Sequence, residues 1–147
     1  MKKIASLSVL FCLILAFTSC SSDDEGTTPP PQEPGLTAAA IEGVATTGTW
    51  SVSSFMNSGE DRTGDFTGFS FEFQESGVLR AVNGDVVILG SWSVEADDST
   101  TLGFKVNIEF SIPDEFRELT EDWNLAEITN TRMDLTDGMD SLTFTRN

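Results

Sequence analysis

Between Leu102 and Phe110 every second residue is apolar: Leu102, Phe104, Val106, Ile108 and Phe110 alternate with Gly103, Lys105, Asn107 and Glu109. A period of two puts these sets on opposite faces of an extended strand, whereas a helical period of about 3.6 would scatter them. The pattern recurs at Phe69, Phe71 and Phe73 against Ser70, Glu72 and Gln74, and Trp50, Val52 and Met56 are expected to share one face of the first strand. Turn signals punctuate the runs at Glu75-Ser76-Gly77, Asn83-Gly84-Asp85, Ala96-Asp97-Asp98-Ser99, Thr129-Asn130-Thr131 and Asp137-Gly138-Met139-Asp140. Strands are therefore predicted at 49–57, 68–74, 78–83, 86–95, 101–110, 122–128, 132–136 and 141–146. Successive hairpins of this kind form an up-and-down meander. Short strands with one apolar face leave no open edge if they close on themselves, so the expected fold is all-β, an eight-stranded antiparallel barrel. At that strand number the interior is either filled by side chains or just holds one small ligand. A two-sheet sandwich is the structural alternative.

Two segments break the alternation. Leu36 to Ile41 reads as the start of a short helix, with Thr37 as N-cap and Leu36 set to pack on Ile41. Gly43 weakens that helix and Thr46-Thr47-Gly48 stop it. Between Ser111 and Leu119, Pro113 can open a helical turn with Ile112, Phe116 and Leu119 along one side.

Ahead of the first helix the chain has a different character. Lys2 and Lys3 precede an uncharged run from Ile4 to Phe17, the order of a secretory signal, and the run is too short for the 20 or so apolar residues that span a bilayer. Phe17-Thr18-Ser19-Cys20 resembles a lipobox, with Phe17 in place of the usual Leu, as the looser boxes of Bacteroidota-type lipoproteins tolerate. The resemblance implies cleavage after a signal peptide at 1–19 and lipidation of Cys20. Cys12 is excluded because bulky Phe11 precedes it and the apolar run continues past it. Each buried acyl CH2 is worth about 0.8 kcal/mol and one chain holds only marginally, so a diacylglyceryl group, with or without a third chain, would anchor the protein stably. Residues 20–35 then form an acidic, Pro-rich tether in which Pro29 to Pro31 favour extended polyproline II. Ser21-Ser22-Asp23-Asp24-Glu25 resembles the surface-export signal of Bacteroidota lipoproteins, and the expected location is the outer membrane, lipid-anchored and facing the cell surface. Residues 36–147 are left as a single domain.

Composition narrows the chemistry. With 8 Lys+Arg against 24 Asp+Glu the net charge is −16, and losing Lys2 and Lys3 with the leader makes it more negative still. Such a field repels polyanions, so no nucleic-acid partner is expected. There is no His and no Tyr, and Cys12 and Cys20 are the two cysteines. Once the first is removed and the second acylated, a Ser-His-Asp triad, a Cys-His pair, a His-ligated metal site and a disulfide are all out of reach. Enzymatic work would fall to carboxylates. Glu72, Glu109, Glu127 and Asp134 lie mostly on polar strand faces, and no convergent pair stands out, so catalysis is not expected.

Gly48-Thr49-Trp50 opening the first strand, Asp65-Phe66-Thr67-Gly68-Phe69-Ser70-Phe71, a second Gly-x-Trp at Gly90-Ser91-Trp92, Asp122-Trp123 and the terminal Leu142-Thr143-Phe144-Thr145-Arg146 together resemble the short lipocalin-like lipoprotein domains of Bacteroidota. The resemblance covers about residues 48–147 and lacks the disulfide and C-terminal helix of longer lipocalins. It implies that Arg146 stacks over Trp50 and closes one end of the barrel. It also implies that the longest loop, Ser58 to Gly68, lies as a flap at the open mouth, where Glu60, Asp61, Arg62 and Asp65 could meet a ligand or cation.

An open lumen would be lined by Trp50, Phe55, Phe71, Phe73, Trp92, Phe104, Phe110 and Trp123, enough aromatic surface for a small apolar molecule or the face of a sugar ring. Binding of such a ligand is the expected function; the same residues would otherwise fill a core, leaving a non-catalytic interaction module that presents its loops to a protein partner. Neither the 58–68 loop nor Asp134-Leu135-Thr136-Asp137-Gly138-Met139-Asp140 follows the alternating-oxygen pattern of an EF-hand, and no metal or other cofactor is expected.

Overall fold

Where apolar residues recur at alternate positions the chain is extended, and the described residues hold nine antiparallel strands, one of them a two-residue polar stub: β1 (Trp50–Asn57), β2 (Glu60–Asp61), β3 (Ser70–Phe73), β4 (Val78–Asn83), β5 (Val86–Ala96), β6 (Phe104–Glu109), β7 (Glu121–Ile128), β8 (Arg132–Asp137) and β9 (Asp140–Arg146). This is a computed structural model, and it describes residues 35–147. The expected signal peptide, Cys20 and the tether up to residue 34 lie outside the described residues. From β3 to β9 each strand pairs with the next in sequence, and β1 pairs with both β3 and β9. The sheet therefore closes into an eight-stranded up-and-down barrel, with the two-residue β2 hydrogen-bonded to the end of β1 as an extra strand.

The closure is uneven. β1 runs beside β9 from Trp50↔Arg146 to Met56↔Ser141, but meets β3 only at Trp50↔Phe71. Along the rest of that side β1 faces the chain that follows it: the Phe55 N–H donates to the Thr63 hydroxyl (2.8 Å), and the Arg62 N–H donates to the Phe55 carbonyl (2.9 Å). The segment after β1 thus fills a gap in the wall.

The short helix α1 (Ala38–Ala45) forms as expected. The Thr37 side chain accepts from the Ala40 N–H, and the buried residues Ile41 and Ala45 lie one turn apart on one face. Thr46 and Thr47 turn their hydroxyls back onto the carbonyls of Glu42 and Gly43, and Gly48 at φ 73° redirects the chain into β1.

Three local expectations are corrected. In β1 the register shifts between Val52 and Ser54, so Phe55 turns inward and is fully buried while Met56 is half-buried. A bulge of this kind adds one residue to the strand and reverses the alternation beyond it. β6 starts at Phe104 rather than at residue 101, because Gly103 at φ 79° breaks the extended backbone and Leu102 remains exposed. In the 111–119 excursion, helix α2 (Asp114–Arg117) follows Pro113 and buries Phe116 and Leu119, but Ile112 points outward at 74% exposure.

The core is the barrel interior, continued under α1 at one end and under the 58–69 and 111–119 segments at the other. All three Trp side chains find acceptors for their indole N–H: Trp50 on Ala45 (2.8 Å), Trp92 on Gln74 (2.9 Å) and Trp123 on Leu119 (3.0 Å). Buried donors need such partners, and here each bond ties the barrel wall to a turn or helix end.

Candidate functional site

The residues expected to line a lumen are brought together, and they pack on one another. Trp50, Phe55, Phe71, Phe73, Trp92, Phe110 and Trp123 are buried, and Phe104 is partly buried against the same cluster. Edge-to-face contacts link several of them, including Phe55 with Trp123 at 6.3 Å and Phe73 with Trp92 at 5.1 Å. These are the separations aromatic pairs prefer in a close-packed interior.

Aromatic residues outside the expected lining complete the packing: Phe144 of β9 meets Phe71 and Phe73 from within the barrel, and two more come from the loops. Phe66 lies in the 3-10 turn Thr63–Phe66 of the long loop, and Phe116 lies in α2. Their rings meet at 5.3 Å, nearly perpendicular, and Phe116 also contacts Phe69, Phe71 and Phe110. The mouth of the barrel is occupied from both sides by its own loops. The sequence signal for this is slight: a lone Phe in a polar, Gly-containing loop, and a Phe after Pro113 whose spacing predicts burial but names no partner.

Above this plug the loops are latched. Arg62 Nε donates to Asp65 (2.7 Å), while its Nη1 reaches both carboxylate oxygens of Glu118, at 3.0 and 2.9 Å. Hydrogen bonding with Asp65, and then the charges of Asp65 and Glu118, hold the guanidinium pKa above its ordinary value. Asp61 is turned back on its own loop, where the Thr63 hydroxyl and N–H lower its pKa. Glu60 is exposed and belongs to β2. Of the four expected mouth residues, Arg62 and Asp65 thus enter one ion-pair network, and Glu118, 56 positions from Arg62 in the chain, completes it.

At the opposite end Arg146 lies over Trp50 with its guanidinium carbon 4.6 Å from the ring centroid. Its Nη2 donates to the Val44 carbonyl (2.7 Å), so the cation also meets the C-terminal end of α1, where the helix dipole favours positive charge. A Cβ at position 48 would lie 3.5 Å from Arg146 Cδ, so the chain at Gly48 passes close beside the same side chain.

The concavities lie on the outside. A groove of about 580 Å³ crosses β5, β6 and β7, and its lining includes Ser91, Ser93, Asn107, Glu109, Glu121 and Asp122. Another, of about 530 Å³, lies between α1 and the Glu75–Gly77 turn. Among the described residues no group of three or more Cys, Asp or Glu is arranged to hold a metal ion.

No protein-family model and no curated protein matches the chain. Among solved structures, the fold is similar to that of a DUF4847 family protein from Bacteroides vulgatus ATCC 8482, at a TM-score of 0.51 and 19% sequence identity. The alignment covers 73% of this chain and 97% of that one. At such identity the likeness is one of fold alone, that of the small closed β-barrel described above.

Proposed function

We propose that the protein is a lipid-anchored lipoprotein of the outer-membrane surface whose lipocalin-like barrel is a non-catalytic scaffold, recognising partners through its exterior. The Phe66–Phe116 contact carries the reading, since it fills the mouth through which a small molecule would enter. Close-packed aromatic interiors leave no room for a guest unless side chains move. The anchoring half rests on the resemblance of Phe17-Thr18-Ser19-Cys20 to a lipobox, and the surface half on the acidic run Ser21 to Glu25.

The scaffold reading is tested by native mass spectrometry of the full chain extracted from its own membrane in mild detergent. The expected mass is that of the acylated protein alone, with Trp fluorescence unmoved by fatty acids or oligosaccharides. A co-purifying apolar molecule or glycan that perturbs Trp92 or Trp123 would replace the scaffold reading with lumen binding. Cys20→Ser should move the protein out of the membrane fraction, and protease added to intact cells should remove the domain. Protection until lysis would put it on the periplasmic side.

A further inference from the structure

Strand β5 is longer than its neighbour can cover. Its ladder with β6 begins at Ser91↔Glu109, so Val86 to Gly90 pair with β4 on one side and with no strand on the other among the described residues. The cause is local. A Cβ at Gly90 would lie 2.4 Å from the Glu109 carbonyl and 2.6 Å from the Phe110 ring, so β6 leaves the sheet there, with Phe110 crossing over the glycine toward Phe116.

The two-residue turn at Gly84-Asp85 and the bond from the Trp92 N–H to the Gly77 carbonyl set the direction of the backbone groups. Val86, Ile88, Gly90 and Trp92 address β4, and Val87 and Leu89 turn their N–H and C=O to the open side. The side chains there are apolar and uncovered: Val86 is 53% exposed, Val87 48% and Leu89 61%. An uncapped apolar edge is what folded proteins ordinarily blunt with charge, proline or a covering loop. From Val86 to Val94 there is no charged residue.

We propose that this edge is a docking site for an extended, positively charged segment of another protein, which adds to the sheet as a strand beside Val86–Gly90. The proposal deepens the scaffold reading and rests on it. Charge chooses the occupant. Where the free edge ends at Ser91 the acidic groove begins, bringing Glu109, Glu121 and Asp122 together with no Lys or Arg in its lining. Asn107 Oδ1, in the same groove, is buried without a donor. A Lys or Arg flanking the added strand would enter surroundings rich in acceptors and poor in donors. A second copy of the chain fits less well. Antiparallel pairing about Ile88 would set Asp85 of the second copy at the ladder position beside Ser91, which Glu109 already occupies.

The test uses the full chain in detergent with two capped heptapeptides of alternating valine and threonine, one flanked by lysines and one by glutamates. The lysine peptide should bind at least about tenfold more tightly, and should slow hydrogen exchange at the Val87 and Leu89 amides. Leu89→Pro removes an edge donor without touching the β4 ladder, and Leu89→Lys adds a charge while keeping the backbone; each should abolish the protection of the Val87 amide. Equal affinity for both peptides, or unchanged exchange at the two amides, overturns the assignment. So does protection without peptide that rises with protein concentration, which would make a second copy the occupant. These outcomes leave the empty-lumen measurement untouched, so failure of the edge and failure of the scaffold reading are distinguishable.

Discussion

Arg146 and Trp50 are directly opposite one another on the two strands that close the barrel, and both reach the end of α1: the indole N–H bonds Ala45 and the guanidinium bonds Val44. One cross-strand pair therefore joins the first strand, the last strand and the helix.

Replacing Arg146 should loosen all three. Arg146→Ala removes a cation–π contact and a charge-assisted hydrogen bond, an expected loss of about 2–3 kcal/mol in urea unfolding. Arg146→Lys retains the charge but not the planar guanidinium, and should fall between the two. An alanine variant as stable as the parent would show that the closure relies on the β1–β9 ladder alone.

The plug predicts coupling between two loops. Phe66→Ala and Phe116→Ala should each cost about 3–5 kcal/mol, as for buried Phe elsewhere. Because the rings touch edge-to-face, the double variant should lose less than the sum, by about 0.5–1.5 kcal/mol. Additive losses in a double-mutant cycle would mean that the two residues fill separate spaces.

Gly90→Ala tests the departure of β6 from the sheet. Its Cβ would meet a backbone carbonyl as well as a ring, and the carbonyl cannot swing away as a flexible side chain can. A destabilisation at the upper end of about 1–3 kcal/mol is expected, with the Phe110 environment altered in side-chain NMR.

Acid should act partly through Asp97. Hydrogen bonds from the Ser99 hydroxyl and N–H, and then from Lys105, lower its pKa from 3.8 to about 2. A carboxylate with a depressed folded-state pKa adds stability above its unfolded value, and that contribution is lost as pH falls through the folded one. Between about pH 4 and pH 2 the parent should therefore lose stability that Asp97→Asn lacks already. Parallel melting curves for the two proteins across that window would contradict the assignment.

The strands were legible because their signals are local. Phe69, Phe71 and Phe73 show their face by spacing alone, and the Asn83-Gly84-Asp85 turn shows where the chain reverses. Thr37 reads as a cap because its hydroxyl needs only the next turn of helix. Locality also explains the misreadings. Ser53 and Ser54 are both small and polar, so nothing in their letters marks which one is the bulge that trades Met56 for Phe55. Ile112 looked like one of the apolar residues lining α2, yet only Phe116 and Leu119 found a surface to cover.

The mouth shows the limit most clearly. Glu60, Asp61, Arg62 and Asp65 were recognisable as a charged loop, but the choice of Glu118 as the partner of Arg62 depends on two loops meeting across the barrel end. By itself the sequence determined the strand faces away from the β1 bulge, the turns, the capping of α1 and the chemistry denied to a chain without His. Whether the lumen is open was decided only in three dimensions. Filling a volume depends on which side chains from distant loops drop into it, and here Phe66 and Phe116 do so, a fact that no spacing along the chain encodes.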